Sequence, residues 1–414
     1  MKLSLTLAGL VGLATASPFT EHDTSNGLLH EARGGKCNWH DKHCCAYPDR
    51  YKTTPYEPEH KNYYGYGRTI YVKPNMKFKI QDAIKKASPG DRIVVAAGTY
   101  NEQLVINKDG IHLEGHGAIL APTTYKRNAC TGLVQDPQKK ELDAGICITG
   151  HKVKTTEFIV EHKRVISVER PVKGVSVSGF TVQGSSGINI AIQGAKNTRI
   201  SGNTLIDAGA YGALTLGSVN TVFYDNKVTT TKGGYIGICQ DNKSDVFTIK
   251  NDVSAYLIGL CVQTNSAVIE RNTLYSNCIG IFVDPGVKGV KISHNTIGPS
   301  APACGNTGAG IIIGSGIGTL VSDNTITGQR AADKSGAGIR IYDDKCVATP
   351  EMPISLSCIT LGRAVKARDN IVIRNKLSDN DNDISNLSQG TGNVIKCNTC
   401  TNEANIKAGQ CTKP

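Results

Sequence analysis

The chain contains little of several residue types, and each shortage excludes something. Its 414 residues include one Trp, three Met and seven Phe, and aromatic residues make up 6% of the sequence. After Leu13 no segment reaches the roughly 18 consecutive apolar residues that a membrane helix needs. No dense Lys/Arg stripe and no nucleic-acid-binding motif is present. We therefore expect neither a membrane span nor a nucleic-acid partner.

The N-terminus and the cysteine content both indicate an extracellular protein. Residues 1–16 read as a signal peptide, with Lys2, an apolar run through Leu13 and small residues before Ser17. The chain has 14 cysteines, which in a secreted protein favour disulfides over free thiols. The sequence therefore predicts a secreted, extracellular, disulfide-bonded protein, with glycosylation sequons at Asn242 and Asn386.

The charge of the chain is unbalanced. It carries 46 basic and 35 acidic residues, a formal net charge of +11. A basic secreted protein attracts polyanions, so acidic polysaccharide is the expected partner, although the same charge also agrees with a merely soluble surface.

A repeat runs through the middle of the chain. Seven β-rich phrases each end in Asn followed by a spaced apolar residue, and most of the steps between them are 21 to 29 residues long. A period in the low twenties built from strand-like pieces is the signature of a solenoid. We interpret these asparagines as corner residues that bond the main chain and one another, not as ligands. They are Asn203, Asn226, Asn251, Asn272, Asn295, Asn324 and Asn375.

The phrases of a second repeat lie between the phrases of the first. Seven phrases open on Gly and alternate apolar with variable residues, from 187–193 to 338–344. This period of two predicts strands with one buried face. The predicted inward residues are Ile188, Ile190, Leu260, Val262, Ile281, Val283, Ile311, Ile313, Ile339 and Ile341. The predicted outward rows are Asn189, Cys239, Cys261, Phe282, Ile312 and Arg340, and then Asp241, Gln263, Asp284, Gly314 and Tyr342. The phrase at 212–217 fits only with a one-residue slip.

A short helix precedes the repeats. Apolar residues at 80, 83, 84 and 87 have helical spacing, and Ser-Pro-Gly at 88–90 ends the helix. Such a helix covers the open edge of the first strand. Followed by the Gly-Ile and Asn-x-Ile rungs, this stretch resembles the right-handed parallel β-helix proteins of the pectin-lyase-like superfamily over roughly residues 69–396.

The resemblance implies an all-β, right-handed parallel β-helix with an N-terminal capping helix. Around it we expect an irregular Cys/Tyr-rich segment at 17–68, the β-helix at 69–396, and a Cys-containing tail at 397–414, in a monomer. The superfamily includes pectate and alginate lyases, polygalacturonases, pectin methylesterases, epimerases and β-helix proteins without known chemistry. The resemblance therefore indicates the fold more sharply than the activity.

Three disulfides have an argument from position. Cys239 and Cys261 occupy the same place on adjacent rungs, at a separation compatible with a bridge. Cys130 and Cys147 bracket one polar insertion, and Cys346 and Cys358 bracket another.

The outward face of the Gly-led strands is the predicted site, because the interior of a β-helix is filled with side chains. Insertions at about 343–370 and at 298–310 would wall a groove around Asp241, Asp284, Arg340 and Tyr342. The residues expected to bind substrate there are Asp241, Gln263, Phe282, Asp343 and Lys345.

The first hypothesis for this groove is β-elimination or epimerisation of an acidic polysaccharide. By resemblance to the superfamily lyases, Arg340 would be the base, Tyr342 the acid and Asp284 a further catalytic group. Calcium is the one expected cofactor, with ligands from Asp241, Asp284 and Asp343.

Two alternatives remain open. An inverting glycoside hydrolase could use Asp241 and Asp284, which lie two rungs or roughly 10 Å apart, although the Asn-Thr-Asp, paired-Asp and Gly-His-Gly motifs of polygalacturonases are missing. A non-catalytic polysaccharide-binding or cell-surface structural protein would use the same rungs and charge.

Overall fold

The computed structural model describes residues 67–348, 354–402 and 411–412. These residues all belong to one compact unit of the chain, residues 51–414. The predicted signal peptide at 1–16 and nearly all of the segment at 17–68 lie outside the described residues.

Each turn of the chain contributes strands to three parallel sheets, two of which are the Asn-ended and Gly-led strands that the repeats predicted. Every strand pairs in parallel with its counterpart on the next turn, for example Cys239 with Cys261 and Cys261 with Phe282. We call the sheets Asn-ended, third and Gly-led, in the order in which a turn passes through them.

The Asn-ended sheet contains Thr69–Val72, Arg92–Val95, Ala195–Ser201, Val219–Tyr224, Ser244–Ile249, Val268–Glu270, Lys291–Ser293, Leu320–Ser322, Ile371–Ile373 and Val394–Lys396, with Val172–Lys173 beside Ala195. The third sheet contains Gly98–Tyr100, Thr204–Ile206, Thr273–Tyr275, Thr296–Ile297, Thr325–Thr327, Lys376–Ser378, Asn398–Cys400 and Cys411–Thr412. The Gly-led sheet contains Leu104–Ile106, Ala144–Thr149, Ile188–Gln193, Tyr211–Leu216, Ile279–Val283, Ala309–Gly314, Ala337–Tyr342 and Asn382–Asn386. Four long strands bend through a corner and serve two sheets: His112–Leu120, Ser176–Gln183, Lys227–Asp241 and Asp252–Val262.

Two α-helices, an antiparallel hairpin and the 3-10 helix Pro302–Cys304 lie outside the parallel sheets. The predicted capping helix is present as Ile80–Lys86, with Ile80, Ala83 and Ile84 buried. Its first two free N–H groups donate to the Glu102 carboxylate. A second helix, Leu356–Leu361, lies in the long insertion, and His151–Thr155 forms an antiparallel hairpin with Val165–Arg170. Among the described residues, no helix has the length and hydropathy needed to cross a bilayer.

The predicted asparagine corners form a continuous ladder. Each side-chain amide donates to the Oδ1 atom of the next asparagine, as from Asn251 to Asn272 at 3.0 Å and from Asn272 to Asn295 at 2.9 Å. The backbone N–H of each asparagine donates to that same Oδ1 atom. Asn398 extends the ladder beyond the seven predicted positions. Strand pairing likewise continues into the segment predicted as a tail.

The repeated glycine of the Gly-led sheet has a steric reason. A Cβ atom on Gly237, Gly259 or Gly280 would lie 2.5–2.7 Å from the carbonyl oxygen of the glycine on the next turn. Any side chain would therefore force the turns apart.

The predicted inward and outward residues of the Gly-led strands are correct from residue 238 onward. In the first phrase, 187–193, the predictions for Ile188 and Asn189 are wrong. Ile190 faces the interior, but Ile188 packs in an outer apolar cluster, and Asn189 occupies the place of the rung glycine with its amide bonded to the Ile206 carbonyl. The phrase at 212–217 needs no slip, because Ala213 and Thr215 pair in register with Ile238 and Gln240.

All described cysteines are in disulfides. The three proposed pairs are present: Cys130–Cys147, Cys239–Cys261 and Cys346–Cys358. Cys278–Cys304 and Cys400–Cys411 are additional.

The two sequons differ in access. The Asn242 amide is buried and donates to Thr221, whereas Asn386 is exposed. Only Asn386 is accessible to a glycan in the folded chain.

Candidate functional site

A cavity of about 370 Å³ lies on the outer face of the Gly-led sheet. Its apolar floor consists of Ile236, Ile258, Cys261 and Phe282, which come from consecutive strands and face outward. The remaining lining is Glu161, Tyr235, Asp284, Tyr342, Asp343, Asp344, Lys345, Val347, Ile354 and Ser355.

Two segments outside the repeat wall this cavity. One is the loop at 156–164 between the hairpin strands, and the other is the insertion after Tyr342, which the Cys346–Cys358 disulfide closes. Arg164 joins the two walls through a 2.8 Å hydrogen bond to Thr360. Within the second wall, Ser355 caps the helix Leu356–Leu361.

Gly314 makes room for the aromatic side of the cavity. A Cβ atom on Gly314 would lie 3.2 Å from the Tyr342 hydroxyl and 3.3 Å from the Phe282 ring. Tyr342 can therefore lie across its neighbour on the preceding turn. Burial raises the pKa of Tyr342, and the nearby Asp344 carboxylate raises it further, so the phenol stays protonated.

Two carboxyl groups meet at one amide beside the floor. The Gln263 Nε2 atom donates to Asp284 Oδ2 at 2.9 Å and to Glu161 Oε2 at 3.0 Å. Because both oxygens bond the same nitrogen, they lie no more than about 6 Å apart. We call these two residues the acid pair.

Asp284 holds its proton strongly. Its side chain is 2% exposed, and burial together with the neighbouring Glu161 carboxylate raises the pKa of Asp284 well above its usual range. Ser357 and Gln263 both donate to Oδ2, so the proton of the neutral acid belongs on Oδ1. Oδ1 has no hydrogen-bond partner among the described residues and is available to a molecule in the cavity.

Known proteins share this architecture. The family model described as "Right handed beta helix region" matches residues 165–326. The Dettilon tailspike protein superimposes with a TM-score of 0.51 and 14% identity, over 77% of this chain and 57% of the tailspike. The chain is a right-handed parallel β-helix protein. The resemblance to the pectin-lyase-like superfamily is thus confirmed at the level of fold.

Other solved structures align more loosely with this β-helix protein. A family 28 exopolygalacturonase of Yersinia enterocolitica gives a TM-score of 0.47 at 13% identity, over 81% of this chain and 78% of that one. The A-module of an Azotobacter vinelandii mannuronan C-5 epimerase gives 0.48 at 13% identity, over 78% and 93%. No curated protein matches the sequence.

The β-helix brings together only part of the predicted groove. Asp284 and Tyr342 line the cavity, as do Phe282, Asp343 and Lys345 from the predicted substrate-binding set. Gln263 lies between the acid pair.

Asp241 and Arg340 do not line the cavity. Both Asp241 oxygens bond Arg164, at 3.1 and 3.2 Å, so its charge is already paired. Arg340 donates to the Ser335 carbonyl, just before its own strand. Burial lowers the pKa of Arg340, but no described carboxylate forms an ion pair with it. The geometry does not place this guanidinium as the base of the proposed elimination.

The predicted calcium set is not assembled. Asp343 accepts from Ser388 Oγ and from the backbone N–H groups of Ala367 and Gln389, which ties the insertion to a later loop. Asp241 is bound by Arg164 as described above. The acidic and sulfur cluster that the described residues do contain joins Asp344 to Cys346 and Cys358, whose sulfurs are already in a disulfide. Oxygen ligands for calcium therefore do not converge here.

One of the two predicted walls is wrong. Residues 298–310 do not line the cavity, and the loop at 156–164 stands in their place. The sequence contained a signal for this loop, because the stretch from 150 to 175 is a long insertion between two strands of consecutive turns. Glu161, Tyr235 and Ser355 were missed because none of them belongs to the rows that the repeat defines.

Proposed function

We propose that this protein binds a polysaccharide in the cavity and hydrolyses a glycosidic bond, with Asp284 as general acid and Glu161 as the paired carboxylate. The acid pair carries the proposal. Two carboxyl groups flanking one bond are the machinery of most glycoside hydrolases, and the acid partner requires a raised pKa.

The chemical steps follow from the positions of the oxygens. The Asp284 Oδ1 proton passes to the glycosidic oxygen as the bond to the leaving sugar breaks. The Glu161 carboxylate attacks the anomeric carbon, and the Asp284 carboxylate then takes a proton from the water that releases the sugar. Asp284 Oδ2 and Glu161 Oε2 lie at most about 6 Å apart, closer than the ~6.5–9.5 Å between the two carboxyl groups of inverting enzymes. This short separation supports hydrolysis with retention, in place of the inversion considered with Asp241 and Asp284.

The charge of the lining favours a neutral polysaccharide over the acidic one expected from the net charge. Glu161, Asp343 and Asp344 add negative charge, against Lys345 alone among the cationic side chains that line the cavity. A polyuronate would place further carboxylates beside these groups, which is unfavourable in a partly buried site. The apolar floor and the Tyr235 and Tyr342 side chains suit the apolar faces of sugar rings.

We propose that the protein acts outside the cell. The signal-like residues 1–16 and the disulfide pairing of every described cysteine support an extracellular protein. Such a compartment is also where an enzyme would meet polysaccharide.

The experiment is a hydrolysis assay on two groups of polymers. Purified protein is incubated with neutral glucans, galactans, xylans and mannans, and separately with polyuronates. New reducing ends report hydrolysis, and ultraviolet absorbance of an unsaturated uronate reports β-elimination. We expect reducing ends from a neutral polymer and no absorbance change. Because a positioned acid contributes about 10²–10⁴-fold, Asp284→Asn and Glu161→Gln should each lower kcat at least about 100-fold.

Glu157→Gln is the matched control, because Glu157 is an exposed carboxylate of the same loop and does not line the cavity. Full activity of Asp284→Asn would contradict the proposal. Elimination of a polyuronate would restore the lyase hypothesis with a different base. Polymer binding without turnover by any form would favour the non-catalytic alternative.

A further inference from the structure

The disulfide Cys346–Cys358 joins two parts of the second wall. Cys346 directly follows Lys345, which lines the cavity, and Cys358 belongs to the helix Leu356–Leu361. No other described disulfide contains a residue of either wall. Within the part of the chain that the structure describes, this bridge is therefore the one cross-link in the walls of the cavity.

The first residues of this helix bond the acid pair. The Leu356 backbone N–H donates to Glu161 Oε1 at 3.3 Å. The Ser357 hydroxyl donates to Asp284 Oδ2 at 2.8 Å. Because Cys358 is the next residue, the disulfide fixes the backbone directly beside both donors.

The helix has few other means of keeping its position. It is six residues long, and helices of this length are not stable by themselves in water. Its cap is local, because the Ser355 side chain accepts from the Cys358 N–H. Beyond the disulfide, it is held by the buried Leu356 side chain and by the hydrogen bond from Arg164 to Thr360. Loss of the cross-link should therefore release the first turn of the helix from the acid pair.

A reductant can reach this bridge more easily than the bridges packed between strands. Cys346 is partly exposed, whereas Cys130–Cys147 and Cys239–Cys261 are buried. Thiol–disulfide exchange requires the attacking sulfur to contact a disulfide sulfur, so buried bridges react slowly. Cys278–Cys304 and Cys400–Cys411 each have one partly exposed cysteine, but neither bridge lines the cavity.

We propose that reduction of Cys346–Cys358 inactivates the site reversibly, by releasing the helix that bonds the acid pair. The reductant is a small dithiol or two molecules of a thiol. One thiolate attacks Cys346 Sγ and displaces Cys358 as a thiolate that takes up a proton. A second thiolate releases Cys346 from the mixed disulfide in the same way. The protein thus gains two electrons and two protons, and the reductant leaves as a disulfide.

Each carboxyl group of the acid pair loses one donor in the reduced protein. Glu161 keeps the Gln263 amide and loses the Leu356 N–H. Asp284 keeps the same amide and loses the Ser357 hydroxyl. Because a misplacement of about 1 Å can cost on the order of 100-fold in rate, we expect kcat to fall about 10- to 100-fold. KM should change less, since the apolar floor does not depend on the helix.

Hydrogen exchange of the full chain, read by mass spectrometry with and without a small dithiol, tests the release of the helix directly. Alkylation reports which cysteines are reduced, and we expect Cys346 and Cys358 to be alkylated while Cys239–Cys261 stays bridged. The amides of residues 355–361 should then lose their protection, whereas those of the asparagine ladder should keep it. Unchanged protection of residues 355–361 after complete reduction of Cys346–Cys358 would overturn the inference.

Kinetics separate this positioning role from a general loss of stability. The double variant Cys346→Ser/Cys358→Ser should have the low kcat of the reduced protein and no response to the dithiol. Cys400→Ser/Cys411→Ser is the matched control, because it removes a bridge of the third sheet that does not line the cavity, and it should keep both kcat and the response.

Reduction of the unmodified protein gives the same test without any substitution, and reoxidation should restore kcat. A folded, reduced protein with unchanged kcat would contradict the proposal. The effect on hydrolysis rests on the proposed function, whereas the release of the helix does not. If neither the oxidised nor the reduced protein hydrolyses any substrate, the proposed function fails, and hydrogen exchange still decides whether reduction releases the helix.

Discussion

At the scale of the residue, the burial of the Asp284 carboxyl group opposes the stability of the fold. This group is almost fully buried beside Glu161, so the folded chain binds the proton more tightly than the unfolded chain does. The side chain therefore contributes least to stability above the raised pKa. The loss in the free energy of unfolding that Asp284 causes grows as pH rises from the ordinary aspartate range to the folded-state pKa. Below that range Asp284 causes no such loss.

Asp284→Asn should for this reason stabilise the protein at neutral pH. Asparagine keeps an acceptor for Gln263 and Ser357 and places an N–H where the protonated acid has its O–H. We expect a gain of about 1 kcal/mol in the free energy of unfolding at pH 7.5, of the size common for relieving a functional site. The gain should shrink towards zero at pH 4.

Urea denaturation at both pH values measures this difference, with Glu157→Gln as the control that changes an exposed carboxylate. A neutral or destabilising effect of Asp284→Asn at pH 7.5 would mean that the buried acid is ionised at no cost.

At the scale of the element, the turns of the β-helix are joined by the asparagine ladder as well as by strand pairing. Asn272 donates its side-chain amide to Asn295 and to the Thr248 carbonyl, and its Oδ1 atom accepts from both N–H groups of Asn251. Every polar atom of this buried side chain is therefore satisfied.

Asn272→Ala should leave the buried backbone N–H of Asn251 without its acceptor and remove the side-chain donor of the Thr248 carbonyl. The Asn251 side-chain amide keeps the Phe223 and Ile249 carbonyls. Each unsatisfied buried group costs about 1–3 kcal/mol, so we expect a loss of about 2–4 kcal/mol in the free energy of unfolding. Asn101→Ala is the matched control, because Asn101 is exposed and outside the ladder. Equal effects of the two substitutions would refute the structural role of the ladder.

Much of the secondary structure could be predicted from the sequence. The asparagine corners, the Gly-led strands and the capping helix follow from local patterns, because each repeats the same steric requirement on every turn. The facing of Ile188 and Asn189 could not be predicted, since Asn189 stands where later turns have glycine and only strand register reveals it. The third sheet was missed because its strands are mostly three residues long, too short for a period to show.

At the scale of the whole molecule, the site depends on contacts between distant parts of the chain. Glu161 is 102 residues from Gln263 and 195 residues from Leu356, whose backbone N–H bonds its other oxygen. Asp284 could be chosen from the repeat because it lies in an outward row. Glu161 could not, because its loop has no period and its partners become neighbours only when the sheet is formed.

The net charge of the whole chain and the charge of the cavity lining have opposite signs. The chain carries a net +11, yet acidic side chains predominate in the cavity lining. A prediction from total charge therefore favoured a polyanion, whereas the acidic lining around Asp284 and Glu161 is the basis on which we propose an uncharged sugar. Binding follows the groups within a few ångströms of the ligand, because more distant surface charges are screened by salt.

The stereochemistry of hydrolysis tests the central claim most directly. Proton nuclear magnetic resonance, recorded during the first turnovers on the best neutral polymer, shows which anomer of the product is released before mutarotation. The close spacing of Glu161 and Asp284 predicts the anomer that retains the substrate's configuration, and it predicts no such signal from Asp284→Asn. Release of the inverted anomer, or an unchanged signal from Asp284→Asn, would contradict the account.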